Sequence, residues 1–574
     1  MRRVLALTLA VAMLAAVGCS KTEPKPTENP GTKEPAKKEQ VIRMNIGADP
    51  KSLDPNVSTG SPESQVQMAL FEGLMRLDKD GKAVPGMAAS VETKDDGKTF
   101  IFKLRDAKWS NGDPVTAEDF VWTWKRTLNP LLASEYAYQI SDYIVGAADM
   151  NKVPVNKVDA AGKEILGADG KTQPRDAKEV QADFDKAAAN FGAKALDAKT
   201  LEVKLNAPTP YFLSLTAFHT LYPVHRKSVE ADPEGWFRKP ETMVTNGPFK
   251  MQSWTPKDKV IAVKNPNYYD AASVKLDKIE FYLIEEETTA TTMFESGQLD
   301  IIESGVNMTE LDRLKKERPD ELKILPDVTV YFYRFNVTKK PFDNPKVRQA
   351  LAMAIDRKSI VDNITKAGEY PAMSIVPKGI PDVSGDFRTN GGDFFKDNDL
   401  ATAKKLLAEA GYPDGKGFPK VTIQYNTSER HKKVAEAVQE MWKKGLGIDV
   451  ELANKEWQVY LDDQSNLNYD VSRAGWIGDY IDPMTFIDMW VTKGGNNNTG
   501  WSNAKYDELV KTAKGSGDNK VRMQAQHDAE KILMTEMPIA PIYFYVRPIL
   551  VGKNVEGWSM PLTSPMDLRG ASVK

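Results

Sequence analysis

Few residues in this sequence have the types and spacing that chemistry needs. The stretch that comes nearest is RAGWIGDYIDP, Arg473 to Pro483. It sets an indole and two carboxylates among glycines, in a segment too short and too rich in glycine for a helix, which reads as a backbone turn. Asp479 and Asp482, or the run Glu285–Glu287, could be drawn as a general acid and base. Carboxylates this common are more often solvated or structural. The four histidines, His219, His225, His431 and His527, stand far apart, and no H-E-x-x-H, paired C-x-x-C or EF-hand loop occurs. DDGKT and ADGKT lack the first glycine of a phosphate loop and read as turns. There is no G-x-S-x-G elbow, and the single cysteine, Cys19, falls in the leader, which excludes a thiol enzyme. The expectation from these residues is a protein that does no chemistry: not an enzyme, with no metal and no cofactor.

The frame that must position these residues is large. A chain of 574 residues, 41% apolar and 27% charged, has the composition of two to four globular domains. Its net charge of −3 gives no sign of nucleic acid. Arg2 and Arg3 precede the apolar run VLALTLAVAMLAAVG, which meets Cys19. A basic start, a short apolar run and small residues before a cut describe a secretory signal over 1–19, with Cys19 placed where bacterial lipoproteins are lipidated. Residues 20–40 are rich in Pro, Lys and Glu and read as a disordered tether. The lack of cysteine in the body fits folding outside the cytoplasm without disulfides.

Alternation predicts a first strand at VIRMNIG, from Val41. SPESQVQMALFEGLMRL predicts a helix from Ser61 through Leu74, and TAEDFVWTWKRTL a second one, with Thr116 as N-cap and Asp119 closing a capping box. Residues 151–195 are poorly patterned and read as a surface insertion with some helix. Strands are expected at TLEVKL, GPFKMQSW and KIEFYLI. Thereafter helices alternate with the strands VTIQYN, IDVELAN and APIYFYV, which argues for α/β lobes with mixed sheets.

The body resembles the solute-binding proteins of peptide ABC importers, most of all their oligopeptide-binding members. The resemblance rests on SLDPN, SPESQ, LFEGLMRLDKDGKAVPGMAASVE, FIFKLRDAKWSNGDPVTAEDFVWTWKRTLNP, TNGPFKMQSW, ATTMFESGQLDI, ALAMAIDRKSI, AKKLLAEAGYPDG, YNTSERHKKVAEAVQEMWKKGLGIDVEL and RAGWIGDYIDP, in that order. It implies an α/β fold: a two-lobed type II periplasmic-binding-protein clamp with mixed sheets and an additional third domain. It places the first lobe at 41–71, 195–284 and 546–574, the additional domain at 72–194 and the second lobe at 285–545.

The resemblance also implies the ligand and its site. Oligopeptides would lie extended in the cleft, bonded to protein backbone as an added strand is. Asp479 occupies the place of the aspartate that pairs with the peptide ammonium. Gly475 and Ile477 fall where backbone groups bond the peptide, Trp476 walls a side-chain pocket, and Arg473 matches an arginine that can meet a short peptide's carboxylate. Ser61 and Tyr136 match cleft positions on the other lobe, Asn246 lies in the shared strand motif TNGPF as a candidate peptide contact, and Glu287 matches a cleft glutamate. The residues alone leave Trp476 open as a core plug and Arg473 as half of a structural ion pair. The family's oligopeptide binders carry a histidine in the segment that corresponds to PDVSGDFRTNGG, Pro381–Gly392, and none is present here. The expected protein is a monomer, lipid-anchored through Cys19 to the outer face of the cell membrane, delivering peptides to ABC transporter permease subunits. Relatives that bind dipeptides, signalling peptides or other solutes on the same fold supply the alternative.

Overall fold

Three sheets organise the chain in a computed structural model that describes residues 39–159, 162–167 and 169–574. Cys19 and most of the expected tether lie outside the described residues. Gln40–Lys574 form one compact unit. Among the described residues no helix is long and apolar enough to cross a membrane.

The first sheet has seven strands in the order Leu322–Leu325, Arg547–Val551, Ile301–Ile302, Val41–Asn45, Lys278–Tyr282, Lys259–Lys264, Phe249–Thr255. Val41–Asn45 runs parallel to both of its neighbours, and the other pairs are antiparallel. Its Ile42 and Met44 are fully buried, as period-two alternation requires.

The second sheet has six strands in the order Tyr370–Pro371, Ile539–Phe544, Thr329–Phe335, Val471–Ile477, Val421–Asn426, Val450–Lys455. Every residue of Thr329–Phe335 and of Ile539–Phe544 is buried. Ile539–Phe544 reads as an unbroken apolar run, and Thr329–Phe335 as one broken only by Arg334 after its first threonine, because both faces of these strands are covered. Helix Glu429–Leu446 connects the parallel strands Val421–Asn426 and Val450–Lys455. The Ser428 hydroxyl caps it by accepting the His431 N–H at 3.3 Å. A smaller antiparallel sheet joins Ala88–Lys94, Thr99–Leu104, Thr200–Lys204 and Ala193–Asp197.

The expected capping box is present: Asp119 Oδ2 accepts the Thr116 N–H at 2.7 Å at the start of helix Ala117–Leu128. Three expectations differ from the structure. The first helix stops at Leu70, and Phe71 is already extended. Asn246 clamps the backbone of Glu72, and a side chain at Gly73 would collide with the Thr216 carbonyl, so packing overrides the helical pattern. Strand Thr200–Lys204, expected in the first lobe's second segment, pairs instead with Thr99–Leu104, and Ala193–Asp197 pairs with its other edge. Ile301–Ile302 and Leu322–Leu325, expected in the second lobe, belong to the sheet of Val41–Asn45. The chain therefore passes between the two large sheets after Leu325, not after Ile284. Among the described residues of the 151–195 insertion the one regular α-helix is Ala177–Ala187, and three antiparallel bridges tie the preceding loops together.

Candidate functional site

A cavity of about 370 Å³ lies between the two large sheets, and residues of both line it. The carboxyl ends of two parallel strands open onto it: Ile46–Ala48 follow Val41–Asn45, and Asn426 ends Val421–Asn426. Ligands of α/β sheets settle at such ends.

The stretch RAGWIGDYIDP was read as a turn. Its first part, Arg473–Ile477, instead finishes a central strand, and the turn begins at Gly478. Val471–Ile477 pairs with Thr329–Phe335 along its whole length, but with Val421–Asn426 only at Val471 and Ser472. Beyond Ser472 one edge of the strand is open to the cavity. At the start of that edge the Arg473 carbonyl accepts from the Tyr460 hydroxyl at 2.6 Å and from Gln464 Nε2 at 2.8 Å. Strand alternation turns the peptide groups of Gly475 and Ile477 the same way as those of Arg473. Both residues line the cavity. An open strand edge is a template for one more strand.

Trp476 and Tyr136 reach in from opposite sides and stack with ring centroids 6.0 Å apart. Trp476 Nε1 donates to Thr485 Oγ1 at 3.3 Å, so the indole is a wall of the cavity as well as a packed side chain. Ser61, the first residue of helix Ser61–Leu70, lines the same cavity.

Charge is distributed unevenly. Asp479 is only 8% exposed, and its carboxylate has no cation partner among the described residues. Gln139 Nε2 donates to its Oδ2 at 2.8 Å, and its own N–H donates to Thr485 Oγ1 at 3.0 Å. Burial first, then the charge of Asp488, push its pKa well above the usual carboxylate range, against those polar contacts. Cations stand near but are committed elsewhere. Lys514 bridges Asp142 at 2.6 Å and Asp488 at 2.9 Å, and Arg522 pairs with Asp482 at 2.7 Å. Asp482 is thus a paired structural acid, which also accepts the Met484 N–H at 3.0 Å.

Arg473 has the opposite need. Its Nη1 donates to Asn426 Oδ1 at 3.2 Å and its Nη2 to the Tyr545 hydroxyl at 2.8 Å, over the ring of Tyr331. It makes no ion pair among the described residues, so the structural-pair alternative fails, and its buried Nε has no partner. Arg430 lies over Tyr545, also with an unpartnered Nε, and His431 sits beside both. Burial, then the charges of Arg473 and Arg430, pull the His431 pKa well below its usual value and keep the ring neutral. All three line the cavity.

Seven sequence-predicted residues therefore converge on one cavity: Ser61, Tyr136, Arg473, Gly475, Trp476, Ile477 and Asp479. Two do not. Asn246 is fully buried and spent on Glu72, donating to its carbonyl at 2.8 Å and accepting its N–H at 3.1 Å. Glu287 is buried at the start of helix Glu287–Glu295 and accepts the Ser428 hydroxyl at 2.6 Å, away from the cavity lining. Against the 381–392 segment packs His527, stacked on Phe387 and bonded to Asp382 at 2.9 Å, while the histidine in the cleft wall beside Arg473 is His431. Arg430 and His431 were legible only as residues of an amphipathic helix. The signal that marks them is their place just after the carboxyl end of a parallel strand. Among the described residues no group of side chains could hold a metal ion.

A family model described as bacterial extracellular solute-binding proteins, family 5 Middle, matches residues 82–498. The oligopeptide-binding protein OppA of Bacillus subtilis (strain 168) is 39% identical over 549 residues, 94% of each chain. The structure of the Escherichia coli murein tripeptide binding protein MppA superposes with a TM-score of 0.81 at 33% identity, covering 93% of this chain and 99% of that one. Against the unliganded open form of MppA, at 34% identity and covering 93% and 98% of the two chains, the TM-score falls to 0.58. The lobes here are therefore disposed differently from that open form. The contacts across the cleft agree: Tyr136 on Trp476, Gln139 to Asp479, Asp142 to Lys514, and Tyr211 stacked on Tyr480 at 4.3 Å.

Proposed function

Given that the chain belongs to family 5 of the bacterial extracellular solute-binding proteins, we propose that it captures oligopeptides between its lobes and hands them to the permease subunits of an ABC transporter. The observation that carries this reading is Asp479, a buried carboxylate with no cation, at the end of an open strand edge. A short extended peptide has the complementary form. Its backbone continues the sheet on Gly475 and Ile477, and its ammonium reaches Asp479. Main-chain bonds are the same for any sequence, so affinity rests on the backbone and the ends. The cations Arg473 and Arg430, with neutral His431, suit the carboxylate end, which is costly to bury alone. Trp476 and Tyr136 close over the peptide from both sides, and Ser61 faces it from the helix start.

The rest of the reading follows from the family and the sequence. Cys19 is the lipid attachment point, residues 20–40 are the tether, and the protein acts as a monomer outside the cytoplasm. It has no enzymatic step: the ligand leaves unchanged, and energy for uptake comes from separate ATPases. The lobes follow the sheets, with 41–71, roughly 205–325 and 546–574 in one and 329–545 in the other, and the small sheet marks the additional domain.

The test is calorimetry on protein unfolded, dialysed and refolded to remove bound cargo. Tri- to pentapeptides of unrelated sequence and equal length should bind within a few kcal/mol of one another. Binding of one sequence alone would favour a signalling-peptide receptor, and binding of none would reject the reading.

A further inference from the structure

Resting on that reading, we infer that Glu303 is the acidic end of a side-chain subsite that takes the cationic side chain of a bound peptide, a lysine or an arginine. Glu303 directly follows Ile301–Ile302, which runs parallel to Val41–Asn45, and its N–H donates to the Asn45 carbonyl at 3.3 Å. Both strands end at the cleft, so Glu303 and Ser304 line the cavity beside Ile46 and Gly47.

A carboxylate placed there must pair with a protein cation, collect hydrogen bonds or wait for a ligand. The cation whose field it feels, Arg547, is already engaged. That guanidinium forks onto Asp327 at 3.2 and 3.3 Å and donates to the carbonyls of Ser564 and Leu562 at 3.1 and 3.4 Å. No ion pair or hydrogen bond reaches the Glu303 side chain among the described residues. Burial accordingly pushes its carboxyl above the usual range, with Arg547 opposing and Asp327 adding to the shift. The other acids of the cavity are accounted for. Asp327 holds Arg547 and accepts the Thr329 hydroxyl at 2.6 Å, and Glu135 accepts the Ser465 hydroxyl at 3.0 Å. Three carboxylates of the lining have no cation among the described residues, Asp479, Glu135 and Glu303; Glu135 is half-buried and keeps the Ser465 hydroxyl, Glu303 has no side-chain partner, and a peptide's termini supply a single positive charge. That charge belongs to Asp479, so the charge that answers Glu303 comes from a side chain. Met68 and Val306, also in the lining, offer apolar surface for the methylene stem of such a residue.

The probe is a set of tri- to pentapeptides of alanine in which lysine, norleucine or glutamate replaces one residue at each position in turn. Norleucine keeps most of the stem and lacks the charge. Calorimetry on the wild type should find one position where lysine binds tenfold or more tightly than norleucine, and where glutamate binds worst. In Glu303→Gln the lysine-to-norleucine ratio at that position should fall toward one, a comparison made within each protein and independent of its absolute affinity. If the alanine peptides bind but lysine gains nothing at any position, or the gain persists in Glu303→Gln, the subsite is refuted and the peptide reading stands. If no peptide binds, both fall together.

Discussion

Asp479→Asn should weaken the binding of peptides with a free amino end by about 2–5 kcal/mol, the usual cost of removing one partner of a buried hydrogen-bonded charge pair. At about 1.4 kcal/mol per decade this is roughly thirtyfold to several-thousandfold in Kd. The structure supports a value inside that range, because Asp479 is 8% exposed and no cation pairs with it among the described residues. The empty protein should not suffer. Its carboxylate is held out of water with only Gln139 and Thr485 as partners, and asparagine keeps an oxygen for Gln139 and the same backbone N–H for Thr485. Removing an unpaired buried charge relieves a desolvation cost, so the ligand-free melting temperature should be equal or higher. Four titrations isolate the pair: wild type and Asp479→Asn, each with one peptide and with its N-acetylated form. Acetylation should weaken the wild type strongly and the variant little. If acetylated and free peptides bind the wild type alike, or the two losses simply add, Asp479 does not hold the ammonium.

Arg473→Gln should cost about 2 kcal/mol, roughly thirtyfold, for a tripeptide acid, and much less for the same peptide amidated at its carboxyl end. Calorimetry on the two ligands reads this difference. Affinity should also depend on pH through Asp479. Its pKa is raised in the empty cleft and falls once an ammonium pairs with it, so binding is full above the empty-state value and is lost as pH falls through it. His431 pulls the other way by gaining a proton, so the ratio of free to acetylated peptide isolates the aspartate, and that ratio should flatten in Asp479→Asn. Asn246→Ala should lower stability, at about 1–3 kcal/mol for each Glu72 backbone group left unpaired, while leaving the Kd of the folded protein unchanged. Denaturant melts and calorimetry separate the two effects.

Which residues converge was readable through the family resemblance that RAGWIGDYIDP and SPESQ carry. An open edge needs a strand that outruns its neighbour, and a glycine where another backbone must come near. What the strand does next to its partners was not readable. The glycines of 475–478 suggested a turn, yet the paired register with Thr329–Phe335 holds Gly475 in a strand. Asn246 shows the converse failure. A polar residue in a shared motif reads as a ligand contact until its two hydrogen bonds to Glu72 are seen. The boundary set at Ile284 failed because Ile301–Ile302 is too short to signal which sheet it joins. Arg430 and His431 were hidden in a helix whose period explains its buried face but not which residues of the first turn face a cleft.

The central claim is that the cleft holds a peptide by its backbone and its charged amino end. It is tested most directly by mass spectrometry of whatever is released when protein purified from its own host is denatured. The account predicts short peptides of mixed sequence with unblocked amino termini, carried by the wild type and largely missing from Asp479→Asn. A single non-peptide solute, or peptides with blocked amino ends retained equally by both proteins, would contradict it.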